Sequence, residues 1–515
     1  MTTRQWSNRK ISAVSLAVAV LAGVITSFTD RAVFTFPDRY DERFATALTD
    51  YCTCKVIAMA VVFMIAKALL TVVFTKGERR DAIIKVVRYA LIYLPVAIIV
   101  LIIKLPQGYI TNDEISILND ATGLIHDTWF NYMTVYFYIV SLMLMPFKYG
   151  PIFIKVIIEL LVIGYSVYRC VKYFGRGGMF IYALFLLYPF IAYTTSAHRL
   201  PVYFLIYLLL FGKLLFDLLE KEDISKCGAF FALLAGAVLT QWRTEGIYLL
   251  VLIPVLMMIA YPRYRSVRGA AVLIVSYIAI QYILWIPQNG ALSRNLDGAA
   301  NDRMKPFYAY TITNMYRNGL DPVKNSRDLE TVDRYLSLEA IEKINEHYGD
   351  INYEDVLILY KDGFVGVREE ATDDDFIQYS QALKRIFAAN PDVFARTRWG
   401  AFCYAAMPFH ITFSGTGVRE LASFFISIVK SVSYNLFIPL LFCLFECVYC
   451  VIRRKWFCFF VFGGLLAHWF IVFVLAPASY FKYYFPIYIM SYFYMILLLI
   501  WYFYGRRKGK ACPVA

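Results

Sequence analysis

The chain of 515 residues is 60% hydrophobic, 18% aromatic and only 17% charged, with a formal net charge of +13 and a mean hydropathy of +0.56. A soluble domain runs at about 45–50% apolar and about 25% charged, so this composition excludes an ordinary soluble enzyme and equally excludes disorder. Nor does the charge read as a nucleic-acid surface. Residues 288–399 hold 14 Lys+Arg against 19 Asp+Glu, and the excess of basic residues elsewhere falls in short loops between apolar runs.

A membrane-crossing helix needs about 20 apolar residues. Runs of that kind, bounded by charge or by Gly and Pro, lie at 11–28, 55–75, 88–104, 151–170, 178–197, 201–218, 227–242, 246–261, 269–287, 434–452, 456–477 and 483–504, twelve in all. The first is long and has no small-residue cleavage site, so it reads as an uncleaved span rather than a signal peptide. With twelve spans and both termini inside, the basic clusters Arg4–Lys10, Lys76–Arg88, Arg169–Arg176, Lys221–Lys226, Arg263–Arg268, Arg453–Lys455 and Arg506–Lys510 all fall on the cytoplasmic side, as the positive-inside rule requires.

Between the third and fourth spans lies an outer segment, 105–150. Its first part, LPQGYITNDEISILNDATGLIHDTWF, carries Asp113, Glu114, Asp120 and Asp127 and no Lys or Arg. Its second part, 131–147, is apolar enough to span, but counting it would invert every later loop. It therefore reads as an interfacial or re-entrant helix packed against protein. Residues 1–287 form an N-terminal membrane domain, 288–433 an outer α-rich domain, and 434–515 the C-terminal spans. Within the outer domain, 338–347 and 376–389 have helical apolar spacing and Asn390-Pro391 makes a break. Segment 396–433, with Arg396, Arg398 and Arg419 among aromatics, reads as an interfacial helix pair.

Metal and nucleotide chemistry find no support in the motifs. The ten cysteines lie mostly in apolar runs without zinc spacing, and Asp373-Asp374-Asp375 reads as a solvated loop because consecutive side chains diverge. Gly175-Arg-Gly-Gly is a turn between spans, not a dinucleotide fingerprint. No internal repeat is visible, which weakens a secondary-transporter reading.

The informative charges stand at outer span ends: Asp113 and Glu114, His198 and Arg199, Arg243 with Glu245, and Lys482. Outer cations beside a membrane are exceptions to the charge rule. The bland account is pairing of Arg243 with Glu245 and contact of Lys482 with headgroups. The chemical account is that cations hold a lipid-linked phosphate while a carboxylate takes the proton of an acceptor hydroxyl. A sugar on a lipid phosphate already carries its leaving group, so cations that stabilise the released phosphate replace a general acid.

The order YITNDEISILNDA, TVYFYIVSLMLMPFKYG, SAHRLPVYFLIYLLL, LTQWRTEGIYLL and SYFKYYFPIY resembles the polytopic GT-C class of lipid-phosphate-sugar-dependent glycosyltransferases, in particular its bacterial members. The resemblance covers most of the membrane segments and implies a GT-C-like, all-α integral membrane fold of about twelve spans with outer interfacial helices. It implies Asp113 as the base, with Glu114 as its rival. It places Arg243, in an R-x-x-G segment, and Lys482, before the last span, on the donor phosphate, with His198 and Arg199 as further donor-binding candidates. Two extra spans precede the acidic loop, and Lys482 stands where Arg is more usual. The expected activity moves a sugar from a polyprenyl-phosphate donor to a glycan, lipid or protein acceptor on the outer face of the cytoplasmic membrane, with no cofactor and no nucleic-acid partner. The rivals are a polysaccharide polymerase or ligase using lipid-diphosphate chains, and a lipid or sugar transporter or flippase.

Overall fold

The computed structural model describes residues 6–109, 112–125, 131–194, 200–289, 299–348, 366–409, 418–476 and 478–513. Regular structure there is helical, apart from one isolated bridge between Leu336 and Val367. In chain order the helices are α1 (Asn8–Val33), α2 (Phe44–Phe74), α3 (Glu78–Lys104), α4 (Asn112–Gly123), α5 (Tyr132–Leu144), α6 (Gly150–Phe174), α7 (Tyr182–Phe185), α8 (Tyr188–Thr194), α9 (Pro201–Glu220), α10 (Lys226–Trp242), α11 (Leu249–Ala260) and α12 (Val267–Asn289). They continue as α13 (Ala299–Arg317), α14 (Ser326–Asp333), α15 (Leu338–Tyr348), α16 (Asp373–Ala389), α17 (Pro391–Ala406), α18 (Val418–Ser433), α19 (Phe437–Ile452), α20 (Trp456–Leu475) and α21 (Phe485–Ile500).

Nine helical segments among the described residues are long and apolar enough to cross a membrane: 8–33, 44–74, 78–107, 150–185, 201–220, 267–287, 420–452, 456–475 and 481–505. The sequence runs 227–242 and 246–261 correspond to shorter apolar helices, α10 and the stretch Thr244–Ala260. The run 178–197 is broken. A tight turn at Gly175–Ile181 is followed by the short α7 and α8, separated before Pro189. The run 434–452 is longer than read, because 420–433 of the expected interfacial pair belongs to the same candidate span.

The chain divides into two compact units, one of Met1–Asn295, Leu444–Gly464 and Ile489–Ala515, the other of Leu296–Cys443 and Leu465–Tyr488.

In the first unit the contacts fix helix directions. Trp6 stacks on Phe74 while Lys55 pairs with Asp30, so α1 and α2 are antiparallel. Helices α3 and α6 are also antiparallel and very close: a Cβ on Gly164 would lie 2.3 Å from the Val86 carbonyl oxygen, so only glycine allows this approach. Arg169 with Asp217 and Lys172 with Glu220 keep step along α6 and α9, which therefore run parallel. The chain after 175 returns along α3, where Tyr182 bonds the Tyr89 carbonyl and Tyr93 bonds the Phe185 carbonyl. Helices α10 and α12 are parallel too, since Thr240 meets Tyr277 and Gln241 meets Gln281, with α11 as the return between them.

These directions sort the helix ends. One end gathers Arg80 on the Val72 carbonyl, the Arg169–Lys172 ion network, Arg263 near Asp223, and the C-terminal tail, whose Ala511 carbonyl accepts from Tyr173. This is the basic end. The other, where α3 stops and α6 starts, carries α4 and α5 and is the acidic end. A chain leaving α3 at Leu105 and resuming beside it at Tyr149 begins and finishes at the same end. Eleven of the thirteen α5 residues are buried, against 11–22% of the apolar windows of α1, α2 and α3, so α5 is surrounded by protein rather than lipid. Epitope tags at the exposed Tyr40 and at Arg265 or Lys508 should be accessible from opposite faces of sealed vesicles; accessibility from one face would break the positive-inside assignment.

The second unit has its own core of Phe307, Ile312, Met315, Val332, Leu336, Ile344, Tyr379 and Leu383 on α13–α16 and the turns beside them. Helices α15 and α16 match the expected periodicity, and the break at Asn390-Pro391 separates α16 from α17. Asp373–Asp375 is not a loop but the first turn of α16. Thr372 caps the helix by accepting from the Asp375 amide, and the Asp375 carboxylate accepts from the Thr372 amide in return. Three acids in a first turn also suit the positive helix N-terminus. Arg398 turns inward and donates to the Phe473 and Ala476 carbonyls at 2.6 and 2.9 Å. It thereby satisfies carbonyls that the end of α20 leaves unpaired.

Candidate functional site

The acidic end of the first unit is organised round one aromatic core. Phe34, Ala47, Tyr109, Ile117, Ala121, Tyr132, Tyr136 and Ile152 form it, with Leu101, Leu105, Tyr149, Trp242 and Leu284 against its edge. It joins the ends of α1, α2, α3, α6, α10 and α12 to α4 and α5. Asn131 fixes the start of α5 twice: its side-chain oxygen accepts from the Met133 amide (3.0 Å), and its amide group donates to the Gln241 carbonyl (3.0 Å). The Trp242 indole donates to Thr134 at 2.9 Å. Helix α5 therefore touches α4 on one side and the end of α10 on another, immediately before Arg243.

Asp113 and Glu114 open α4, where negative charge favours the helix start. Their surroundings differ. Asp113 is half-buried, whereas Glu114 is 1% exposed. Lys155 and Glu159, one turn apart on α6, are 2% and 0% exposed, and Lys155 lies within electrostatic reach of both Glu159 and Glu114. Three ionisable groups of opposite sign buried within electrostatic reach of one another offset part of a desolvation that is otherwise costly. Lys155 and Glu159 were missed at the sequence level because they sit inside an apolar run. The available signal was a Lys–Glu pair spaced i,i+4 within a membrane span, where ionisable residues are rare and functional by default.

Beside α1 and α2, Asp30 accepts from Tyr51 (2.9 Å) and pairs with Lys55, while Tyr136 of α5 donates to Asp50. The Asp30 bonds tie α1 to α2, and the Tyr136 bond holds α5 against α2.

Arg243 stands extended between α10 and the turn Thr244–Tyr248. Its Nε and one terminal nitrogen meet Glu245, so the pairing expected on bland grounds is present. The guanidinium lies 6.0 Å from the Tyr203 ring centre, and Tyr207 and Tyr248 share a hydrogen bond of 2.9 Å beside it. The turn needs Gly246: a Cβ there would sit 2.3 Å from the Leu239 carbonyl oxygen. The R-x-x-G spacing thus has a local steric reason, and a guanidinium in a tyrosine-lined setting suits an anion that also offers hydroxyls.

Lys482 belongs to the second unit. It is half-buried in the short turn Phe481–Tyr484, with its ammonium 4.7 Å from the Tyr480 ring centre and 6.0 Å from that of Tyr483. His198 and Arg199 lie outside the described residues. In the first unit Asp113 and Glu114 open α4, and Arg243 follows Trp242, which packs at the edge of the aromatic core, while Lys482 has its own aromatic setting in the second. No group of three or more His, Cys, Asp or Glu suited to a metal occurs among the described residues.

Helices of this length and apolarity define a multi-pass α-helical membrane protein, and Glu114, Glu159 and Asp50 are buried carboxylates in its larger unit. Comparison with protein-family models, with curated proteins and with solved structures found no match to this chain.

Proposed function

We propose that the protein is a GT-C-type membrane glycosyltransferase that moves a sugar from a polyprenyl-phosphate donor to an acceptor hydroxyl on the outer face of the cytoplasmic membrane. The observation that carries this reading is the acidic end itself: a half-buried carboxylate, Asp113, beside the buried Glu114, with the Arg243 turn across α5. Asp113 takes the acceptor hydroxyl proton as the oxygen attacks the anomeric carbon. The bond from that carbon to the phosphate oxygen breaks, and the electron pair leaves with the lipid phosphate. Arg243 stabilises that phosphate, together with Arg199 and His198, so that a cation takes the place of a general acid. Glu114 is the less accessible carboxylate and serves, with Lys155 and Glu159, to hold α4 in place.

A transporter would bind substrate with charges along its path. Here a carboxylate and a guanidinium stand at one end of the unit, and the charged pair inside α6, Lys155 and Glu159, is buried at 2% and 0% exposure rather than open to a path.

The test is binding and turnover of a labelled polyprenyl-phosphate sugar by purified protein in detergent, where no second compartment exists. Losing one charge-assisted phosphate contact of about 1.5–3 kcal/mol predicts donor binding weaker by about ten- to a hundredfold in Arg243→Ala. Arg243→Lys should recover little, because a point charge cannot reproduce the planar fork. Normal donor binding by Arg243→Ala, with no sugar released by the wild type, would remove the proposal.

A further inference from the structure

At the basic end of the first unit, away from the acidic core, the C-terminal tail folds back against the end of α6. A turn with Gly509 at φ +63° redirects it, and three of its carbonyls are then tied down. The Trp501 indole donates to the Lys510 carbonyl at 2.9 Å, the Tyr173 hydroxyl to that of Ala511 at 3.0 Å, and the Cys458 thiol to that of Pro513 at 3.4 Å. Between the tail and the ends of α6 and α9 is a polar pocket of about 490 Å³, lined by Lys172, Tyr173, Glu220, Glu222 and the tail's own Gly509 and Lys510. The tail is therefore one wall of that pocket. Thiols meet on the same tail. Cys458, at the start of α20, is 5% exposed and Cys450, at the end of α19, is 0% exposed. Both Cys450 and Cys512 lie within electrostatic reach of Cys458. Cys512, half-exposed, is the thiol that a solvent-borne reagent meets, and Cys458, bonded to the carbonyl of the very next residue, is the buried thiol behind it.

We infer that Cys458 and Cys512 form a reversible disulfide that clasps the tail to the bundle and fixes the wall of the pocket beside Lys172. The oxidant is a low-molecular-weight disulfide. The Cys512 sulfur attacks one of its two sulfurs, that S–S bond breaks, and the small thiolate that leaves takes up the Cys512 proton. The Cys458 sulfur then attacks the Cys512 sulfur of the mixed disulfide, and the second small thiolate departs with the Cys458 proton. Two protein thiols are oxidised to one disulfide, and the small disulfide is reduced to two thiols. Cys458 thereby exchanges its hydrogen bond to Pro513 for a covalent bond one residue away. Without the bridge the tail rests on single hydrogen bonds, each modest in net strength. The charge rule puts this end in the reducing cytoplasm, where such a bridge is transient and redox-sensing rather than structural. The clasp lies apart from the acidic end and does not depend on the transferase chemistry.

The test uses the full chain, purified in detergent, reduced, and then exposed to oxidised glutathione. Differential alkylation with peptide mapping should find Cys458 joined to Cys512, while the exposed Cys227 carries glutathione as a mixed disulfide. Amide hydrogen exchange over 506–512 should slow at least about tenfold on bridging and recover on reduction, because a covalent closure suppresses the local opening that exchange requires. Cys512→Ser should abolish both the bridge and the slowing while Cys227 is still modified. A bridge between Cys450 and Cys458, or no bridge at Cys458 when Cys227 is fully modified, overturns the inference. A Cys458–Cys512 bridge that leaves exchange unchanged overturns it too, since the tail would then not be clasped.

Discussion

Asp113→Asn should lower turnover of a polyprenyl-phosphate sugar by at least about a hundredfold, while donor binding and thermal stability stay near those of the wild type. Asparagine keeps the size and hydrogen-bonding capacity of the side chain but cannot accept the acceptor's proton. The half-buried position allows the change without an uncompensated charge. Steady-state turnover and equilibrium donor binding, measured on the same preparation, check it. Full turnover in Asp113→Asn together with a collapse in Glu114→Gln would exchange the two roles; full turnover in both and in the double variant would take α4 out of the chemistry.

The second large effect is on stability. Lys155→Met should destabilise the protein by about 3–5 kcal/mol, because removing one partner of a buried ionic group leaves the remaining charge in a low-dielectric setting. Glu114 and Glu159, both buried, would lose the basic group that lies within electrostatic reach of each. Lys155→Met/Glu159→Gln should recover part of the loss by removing one of those two charges. Thermal unfolding in detergent reads both. A single variant as stable as the wild type would show that Lys155 is not what holds α4 to α6.

The multi-pass helical class and the grouping of several basic loops of the first unit were legible because both are averages over many residues. Hydropathy over a window tolerates errors, and several separate basic clusters converge on one end in three dimensions. What failed to show was local or non-local in kind. The run 178–197 read as one helix, yet the turn at Gly175–Ile181 and the break before Pro189 divide it into short pieces, since glycine and proline act one residue at a time. Asp373–Asp375 looked like a loop until Thr372 was seen to cap a helix. Arg398 was read as interfacial, but its partners are carbonyls 75 and 78 residues further on, which no spacing rule announces.

The site followed the same division. Asp113, Glu114 and Arg243 were legible as charges at span ends. Lys155 and Glu159 were not, because an apolar average conceals a charged pair. Nor did the pattern show that Asn131 and Trp242 would bring the Arg243 turn against α5, since those bonds join residues more than a hundred positions apart.

The central claim is the chemistry, and one measurement reaches it most directly: purified protein in detergent, given a polyprenyl-phosphate sugar with label in the sugar and a mixture of hydroxylated lipid and glycan acceptors. Transfer of label to an acceptor with stoichiometric appearance of free prenyl phosphate, both lost in Asp113→Asn, is the predicted result. Donor recovered intact after prolonged incubation with folded wild-type protein, whichever acceptor is supplied, would contradict it.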